Sequence, residues 1–204
     1  MTESFHISVR NLSVHFVLGR QLFGKPPVVR AVDEVSLEIP KGSFFGLVGE
    51  SGSGKTTLGR AILRAAPITA GQILYRDDEV EYDLNNIAKE QLKDYRRRAQ
   101  LIFQDPYAAL SPRMTVRDII AEPLEVMGIT NTRAETDDRV REIASKCRLN
   151  LEHLRRFPHA FSGGQRQRIS IARALVCSPR FVVADESVAA LDVSIQADIL
   201  NLLE

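Results

Sequence analysis

Gly49-Glu50-Ser51-Gly52-Ser53-Gly54-Lys55-Thr56 is a complete G-x-x-x-x-G-K-[ST] motif. It is set between the apolar residues Phe44, Phe45, Leu47 and Val48 and the helically spaced residues Leu58, Ala61, Ile62 and Ala65. The apolar run predicts a buried strand entering the motif, and the spacing predicts a helix leaving it that is stopped by Pro67. Strand, glycine-rich turn and helix in that order are the context in which this motif holds phosphates. Lacking Cβ atoms, Gly49, Gly52 and Gly54 let the backbone take positive φ and present N–H groups to phosphate oxygens at the positive end of a helix dipole. Lys55 offers a point charge to the β- and γ-phosphates, the Thr56 hydroxyl is placed to ligate Mg²⁺, and Thr57 caps the helix or touches the α-phosphate. Glu50, Ser51 and Ser53 complete the loop. The chain is expected to bind a nucleoside triphosphate with Mg²⁺; a glycine-rich turn without a ligand is the alternative.

The whole chain is consistent with that expectation. Its 204 residues are 44% hydrophobic, enough for a substantial core in one domain, or in one domain with a smaller inserted lobe. A formal net charge of +1 with scattered basic residues argues against nucleic acid as a partner. The run Arg96-Arg97-Arg98 reads as a solvated helix face. Cys147 and Cys177 stand apart, with no C-x-x-C pairing and no signal peptide ahead of them, so two free thiols in a reducing cytoplasm are expected. His6, His15, His153 and His159 show no metal-ligand spacing.

Along the first 45 residues apolar and polar positions alternate through Ile7, Val9, Leu12, Val14, Phe16 and then Val32, Val35, Leu37 and Ile39, predicting half-buried antiparallel strands joined by a loop over Gly19 to Pro27. A strand pair is expected over Ile73 to Tyr82 with Asp77-Asp78 as its turn, and a buried strand at Leu101-Ile102-Phe103 that ends at Gln104. From Ser111 to Asn150, Val116, Ile119, Ile120, Leu124, Val140, Ile143 and Cys147 recur at helical spacing. Ser162-Gly163-Gly164-Gln165 opens a further helix striped by Ile169, Ala172, Leu175 and Val176. Two glycines after a serine leave that helix start bare, which suits a phosphate, although a plain N-cap fits as well. Phe181-Val182-Val183-Ala184 reads as a parallel strand buried on both faces and ends in Asp185-Glu186. Adjacent carboxylates at a strand end require either salt bridges or Mg²⁺ on Asp185 with Glu186 free to orient or deprotonate water; the phosphate loop favours the second.

Taken in order, the phosphate loop, Gln104, Ser162-Gly163-Gly164-Gln165, Asp185-Glu186 and Leu191-Asp192 closely resemble the nucleotide-binding subunits of ATP-binding cassette transporters, over essentially the whole chain. Ile102-Phe103-Gln104-Asp105-Pro106-Tyr107, Ser111-Pro112-Arg113-Met114-Thr115-Val116, Phe157-Pro158-His159 and Leu191-Asp192-Val193-Ser194-Ile195-Gln196 look like the dipeptide, oligopeptide and nickel importers. The resemblance implies an α/β P-loop NTPase core with an N-terminal antiparallel β layer: one cassette domain over residues 1–204, incomplete at its C-terminus, with a helical subdomain inserted over 105–161. It implies ATP and Mg²⁺ as cofactors, Gln104 as sensor of the γ-phosphate and metal, Asp185 as a metal ligand, Glu186 as the catalytic base and Asp192 as a nucleotide contact. Phe16 is the best match to the aromatic that stacks on adenine, with Phe23 nearby and a core role as the alternative.

By the same resemblance two subunits pair head to tail, so Ser162, Gly163, Gly164 and Gln165 serve the partner's nucleotide. Membrane permeases dock in the groove around Gln104, with a solute-binding protein beyond them, which places the chain on the cytoplasmic face of the membrane. Three positions depart from the family pattern: Ser187 where proline is usual, Ala189 where serine is common, and Phe161 before the signature serine. The chain also ends before the strand and the switch histidine expected after Leu203. Two central strands would then lack a neighbour, so the 204 residues alone are expected to be neither a stable domain nor a competent ATPase. The alternatives are a non-hydrolysing or degenerate nucleotide-binding module, or a truncated fragment. A soluble cassette acting on DNA or ribosomes is disfavoured by the near-neutral charge.

Overall fold

The computed structural model describes residues 5–19 and 26–185. Contacts group the chain into two compact units with the boundary between Tyr95 and Arg96.

In the first unit, β1 (Phe5–Val17) and β2 (Val28–Pro40) form a long antiparallel pair. β3 (Ala70–Arg76) and β4 (Glu81–Asp83) extend it into a sheet of order β2-β1-β3-β4. This is the antiparallel layer expected from the alternation. The period of two breaks between Val9 and Leu12, and the structure gives the reason. Register shifts there on both flanks of β1, and Asn11 enters the left-handed region at φ 46°. One extra residue restores the inward face, so Ile7, Val9, Leu12 and Val14 are all buried. Ser36 Oγ accepts from Asn11 N at 2.9 Å and donates to its Oδ1 at 3.2 Å, pinning the bulge. Opposite it, a Cβ on Gly71 would lie 2.3 Å from the Asn11 carbonyl oxygen, so the bulge also dictates the glycine.

The β3–β4 turn is built on Asp77, whose Oδ1 accepts from the amides of Glu79 and Val80. Helix α1 (Lys55–Ile62) buries Leu58, Ala61 and Ile62. It stops earlier than the apolar spacing suggests, because Arg64 turns left-handed at φ 53° and Ala65 N–H closes back onto Arg60 O at 2.8 Å. Its last carbonyls gain a partner from α2 (Lys89–Arg98), where the fully buried Tyr95 donates its hydroxyl to Ile62 O at 2.8 Å and packs edge-on against Tyr75. Arg96 and Arg97, in the last turn of α2, are exposed as expected of a solvated face.

The predicted strand over Phe44 to Val48 is not a strand. The segment has no regular secondary structure, pairs with no described strand, and leaves Phe44 at 63% and Val48 at 94% exposure. Apolar content records a demand for burial, but a strand exists only where a neighbour supplies the ladder, and none of the described strands does.

In the second unit, β5 (Ala99–Ile102) and β6 (Phe181–Ala184) run parallel, Ile102 opposite Ala184. β5 stops one residue short of Phe103. β6 is half-buried and Ala184 is exposed, not buried on both faces as its run of apolar residues suggests, since among the described residues it has one strand neighbour. Between these strands lie α3 (Pro106–Ala109), α4 (Val116–Met127), α5 (Arg133–Lys146), two 3-10 turns (Leu151–His153 and Pro158–Ala160) and α6 (Gly163–Leu175). One apolar core joins Ile102 of β5, Ile119, Ile120 and Leu124 of α4, Val140 and Ile143 of α5, and Ile169, Ala172 and Leu175 of α6. Each large side chain so buried contributes about 1.5–3 kcal/mol relative to exposure. Arg117 fastens α4 to α5 by donating from Nε to Asp137 (2.7 Å), while its Nη1 holds Asp118 (3.2 Å) and Glu125 (3.4 Å). Arg173 ties α6 to Glu122 of α4 at 2.8 Å.

Candidate functional site

The phosphate-loop motif forms an exposed turn from Gly49 to Ser53 that enters α1 at Gly54. Gly54 has φ 93°, and a Cβ there would sit 2.1 Å from the Ala31 carbonyl oxygen of β2. The turn is thus seated directly on the antiparallel sheet, at a spot where only glycine fits. Two residues earlier along β2, Val29 pairs with Phe16, so the proposed adenine-stacking aromatic and the phosphate loop share one strand pair. Phe16 is 37% exposed, and the flanking Val17, Val28 and Val29 are exposed with it.

The donor set suits a polyphosphate. No side chain caps α1, and the N–H groups of Gly52, Gly54, Lys55 and Thr57 have no protein acceptor among the described residues. Lys55 Nζ donates to the Gly49 and Glu50 carbonyls, both at 2.6 Å, which holds the ammonium inside the turn. Open amides, a helix N-terminus and a cation held at one loop are the chemistry of an anion site. Thr56, Thr57 and Ser53 line the same turn, and Glu50 and Ser51 are exposed on it.

In the second unit Gln104 and Asp185 follow the C-terminal ends of the adjacent parallel strands β5 and β6, with Asp185 N–H donating to Ile102 O at 3.2 Å. Residues separated by eighty positions in sequence thereby flank one strand edge. Glu186 and Asp192 lie outside the described residues.

The start of α6 is not bare. Ser162 Oγ accepts from Gln165 N at 3.3 Å and Gln165 Oε1 accepts from Ser162 N at 2.9 Å, a reciprocal capping box. The serine followed three residues later by glutamine is the sequence signal of that box. The amides of Gly163 and Gly164 still have no protein acceptor among the described residues. Sequence reasoning also missed Arg166. Its Nε donates to Pro158 O at 2.8 Å, a terminal nitrogen reaches His159 O at 3.3 Å, and the guanidinium lies 4.1 Å from the Tyr107 ring centroid. A cation in the first turn of a helix opposes the dipole, and that mismatch was the available signal.

The sequence pattern of the ABC transporter family matches residues 32–189. The dipeptide transport ATP-binding protein DppF of Lactococcus lactis subsp. cremoris is 51% identical over 199 residues, 97% of this chain and 61% of that protein. The oligopeptide transport ATP-binding protein OppF of Bacillus subtilis is 48% identical over 204 residues, 100% of this chain and 64% of that protein. The chain therefore spans about three fifths of the length of these relatives. Among solved structures, the ATP-binding cassette MJ0796, a dimer in a post-hydrolysis state bound to ADP and Pi, superposes with a TM-score of 0.81 at 28% identity, covering 97% of this chain and 81% of that one. No helix among the described residues is long and apolar enough to cross a membrane.

Proposed function

The chain belongs to the ABC transporter family, and on that premise we propose that it is the ATP-binding and ATP-hydrolysing part of an importer for peptides or related solutes. The observation that carries this is the phosphate loop: open amides and the Lys55 ammonium gathered on one glycine turn, in a chain about half identical to peptide-transport ATP-binding proteins. One cassette domain over 1–204, with 105–161 as its helical lobe, is the organisation this reading assigns.

ATP with Mg²⁺ supplies the γ-phosphoryl group and the charge neutralisation for its transfer to water. The chain's residues bind, orient and move the proton. The amides of Gly52, Gly54, Lys55 and Thr57 and the Lys55 ammonium would hold the phosphates, with Gly49, Glu50, Ser51 and Ser53 shaping the turn. Thr56, Gln104 and Asp185 would hold Mg²⁺, Glu186 would accept the proton of the attacking water, Asp192 would contact the nucleotide, and Phe16 would stack on the base. Ser162, Gly163, Gly164 and Gln165 would close on the nucleotide of a second ATP-binding subunit paired head to tail, beneath permease subunits at the membrane.

Lys55→Ala removes a charge-assisted contact worth about 1.5–3 kcal/mol. Mg·ATP at a hundredfold excess over its dissociation constant should stabilise the unsubstituted protein by about 2.7 kcal/mol. The measurement is the ATP-induced shift in melting temperature. A shift in the parent protein that falls by about half or more in Lys55→Ala supports the assignment, and equal shifts in both would sink it.

A further inference from the structure

We propose that Arg166 is a positioning residue that locks the segment carrying Gln104 to the helix start carrying Ser162-Gly163-Gly164-Gln165, so that a displacement of one is felt by the other. The inference rests on the ATPase reading for its functional meaning, but its physical content stands on contacts within one unit of the fold.

Arg166 lies in the first turn of α6, where a positive charge opposes the helix dipole. Its charge is met by two carbonyls and an aromatic face: Pro158 O at 2.8 Å, His159 O at 3.3 Å, and the Tyr107 ring at 4.1 Å. Such contacts are directional. Two fixed carbonyls and a ring plane together accept the rigid, planar guanidinium fork in one orientation.

Each contact leads to a candidate site segment. Tyr107 sits in α3, three residues beyond Gln104, and its amide is held by Asp105 Oδ1 at 2.8 Å, so the ring belongs to a short capped element whose N-cap directly follows Gln104. Tyr107 is 64% exposed, which gives its ring no role in the core. On the other side, Pro158 and His159 form the 3-10 turn that leads through the buried Phe161 into the Ser162–Gln165 capping box. A continuous route therefore runs from Gln104 through Asp105, Tyr107 and Arg166 to the capping box. Gln104 would sense the chain's own nucleotide and Ser162 the partner's, so this route would link the two nucleotides of a dimer.

The test is reciprocal. In hydrogen exchange followed by mass spectrometry, Arg166→Met, which keeps an apolar stem but loses the fork, should raise exchange at Tyr107 and Ala109 at least about fivefold. Tyr107→Leu should raise exchange at the Ser162 and Gln165 amides, and Arg166→Lys should behave like Arg166→Met because a compact ammonium lacks the planar fork that spans both carbonyls while stacking on the ring. A response confined to the substituted side, or none, overturns the inference.

In the assembled ATPase dimer, Arg166→Met should then lower kcat while KM for ATP is held, at both composite sites. They are read one at a time by placing Lys55→Ala first in the same chain and then in the other. Loss only at the site using the variant's own signature segment overturns the coupling. If a mixture of Ser162→Arg and Lys55→Ala chains, carried to the full length of the relatives and otherwise unmodified, restores no activity, the dimeric ATPase reading has failed instead, and the exchange measurement decides the fate of the contact by itself.

Discussion

At the scale of single residues, the phosphate loop depends on one atom that is not there. A methyl group on Gly54 would have to occupy space 2.1 Å from the Ala31 carbonyl oxygen while keeping φ at 93°. Gly54→Ala should cost at least about 2 kcal/mol, from left-handed strain alone approaching that figure and from the clash beyond it. An unchanged urea midpoint would refute the packing described. Tyr95→Phe is a cleaner deletion, nearly isosteric, that leaves the Ile62 carbonyl without its donor; a loss of about 1–3 kcal/mol is expected by the same measurement. The two cysteines give a pH-dependent prediction. Burial pushes the Cys147 thiol up to about 12 and the Cys177 thiol up to about 11. Both should therefore resist a thiol-specific disulfide reagent at neutral pH and react on unfolding. The unfolded thiols ionise at about pH 8.5 while the folded ones keep their protons, so their contribution to stability is lost as pH rises above that value. Rapid modification of the folded protein would contradict their burial.

At the scale of elements, ends and irregularities are informative. Helix α1 ends because Arg64 takes φ 53°, a position at which an L side chain is strained and glycine is not. Arg64→Gly should therefore stabilise the protein, by about 1 kcal/mol at most, since the αL strain relieved is partly offset by the added freedom of the unfolded chain. A lower urea midpoint would show that the arginine stem makes contacts that outweigh its backbone strain. In β1 the alternation was legible in the sequence but its defect was not: the odd step from Val9 to Leu12 is a bulge, whose extra residue keeps both inside. The helices α4, α5 and α6 were legible for the same reason, because a 3.6-residue period is a property of the segment itself. The segment over Phe44 to Val48 was not, because its state depends on what pairs with it. Ser162 was legible as a cap and Gln165 as its reciprocal partner, yet two glycines between them invited a different reading of the same four residues.

At the scale of the whole molecule, the family and its oligomeric logic predict behaviour that neither unit has by itself. If each nucleotide is held by the loop of one subunit and the signature segment of another, a Ser162→Arg chain mixed with a Lys55→Ala chain, both carried to the full length of the relatives, should regain one intact composite site. Activity should then return to about a quarter of the unsubstituted level in a statistical mixture, because half of the dimers are mixed and each holds one of two sites. Steady-state phosphate release is the measurement, and folded variants that never complement would argue against the head-to-tail pairing. The apolar core of the second unit, which joins β5, α4, α5 and α6, means that residues on either side of the helical segment are stabilised together. The Gln104 and Asp185 strand ends are brought side by side by β5–β6 pairing alone.

What the amino-acid sequence determined by itself was everything that depends on spacing along the chain: the glycine turn and its lysine, the periods of helices and strands, the order of motifs that identifies the family. These are local because φ preferences, capping and amphipathic repeats act over a few residues. What only the tertiary structure decided was everything that depends on a neighbour remote in sequence. It placed Gly54 against Ala31, brought Tyr95 to the end of α1, set Asp185 beside Ile102, and turned Arg166 toward Tyr107. Each of these is a meeting of two segments whose separation no periodicity encodes, and each exists because burial and hydrogen-bond satisfaction are settled by the whole fold rather than by the segment.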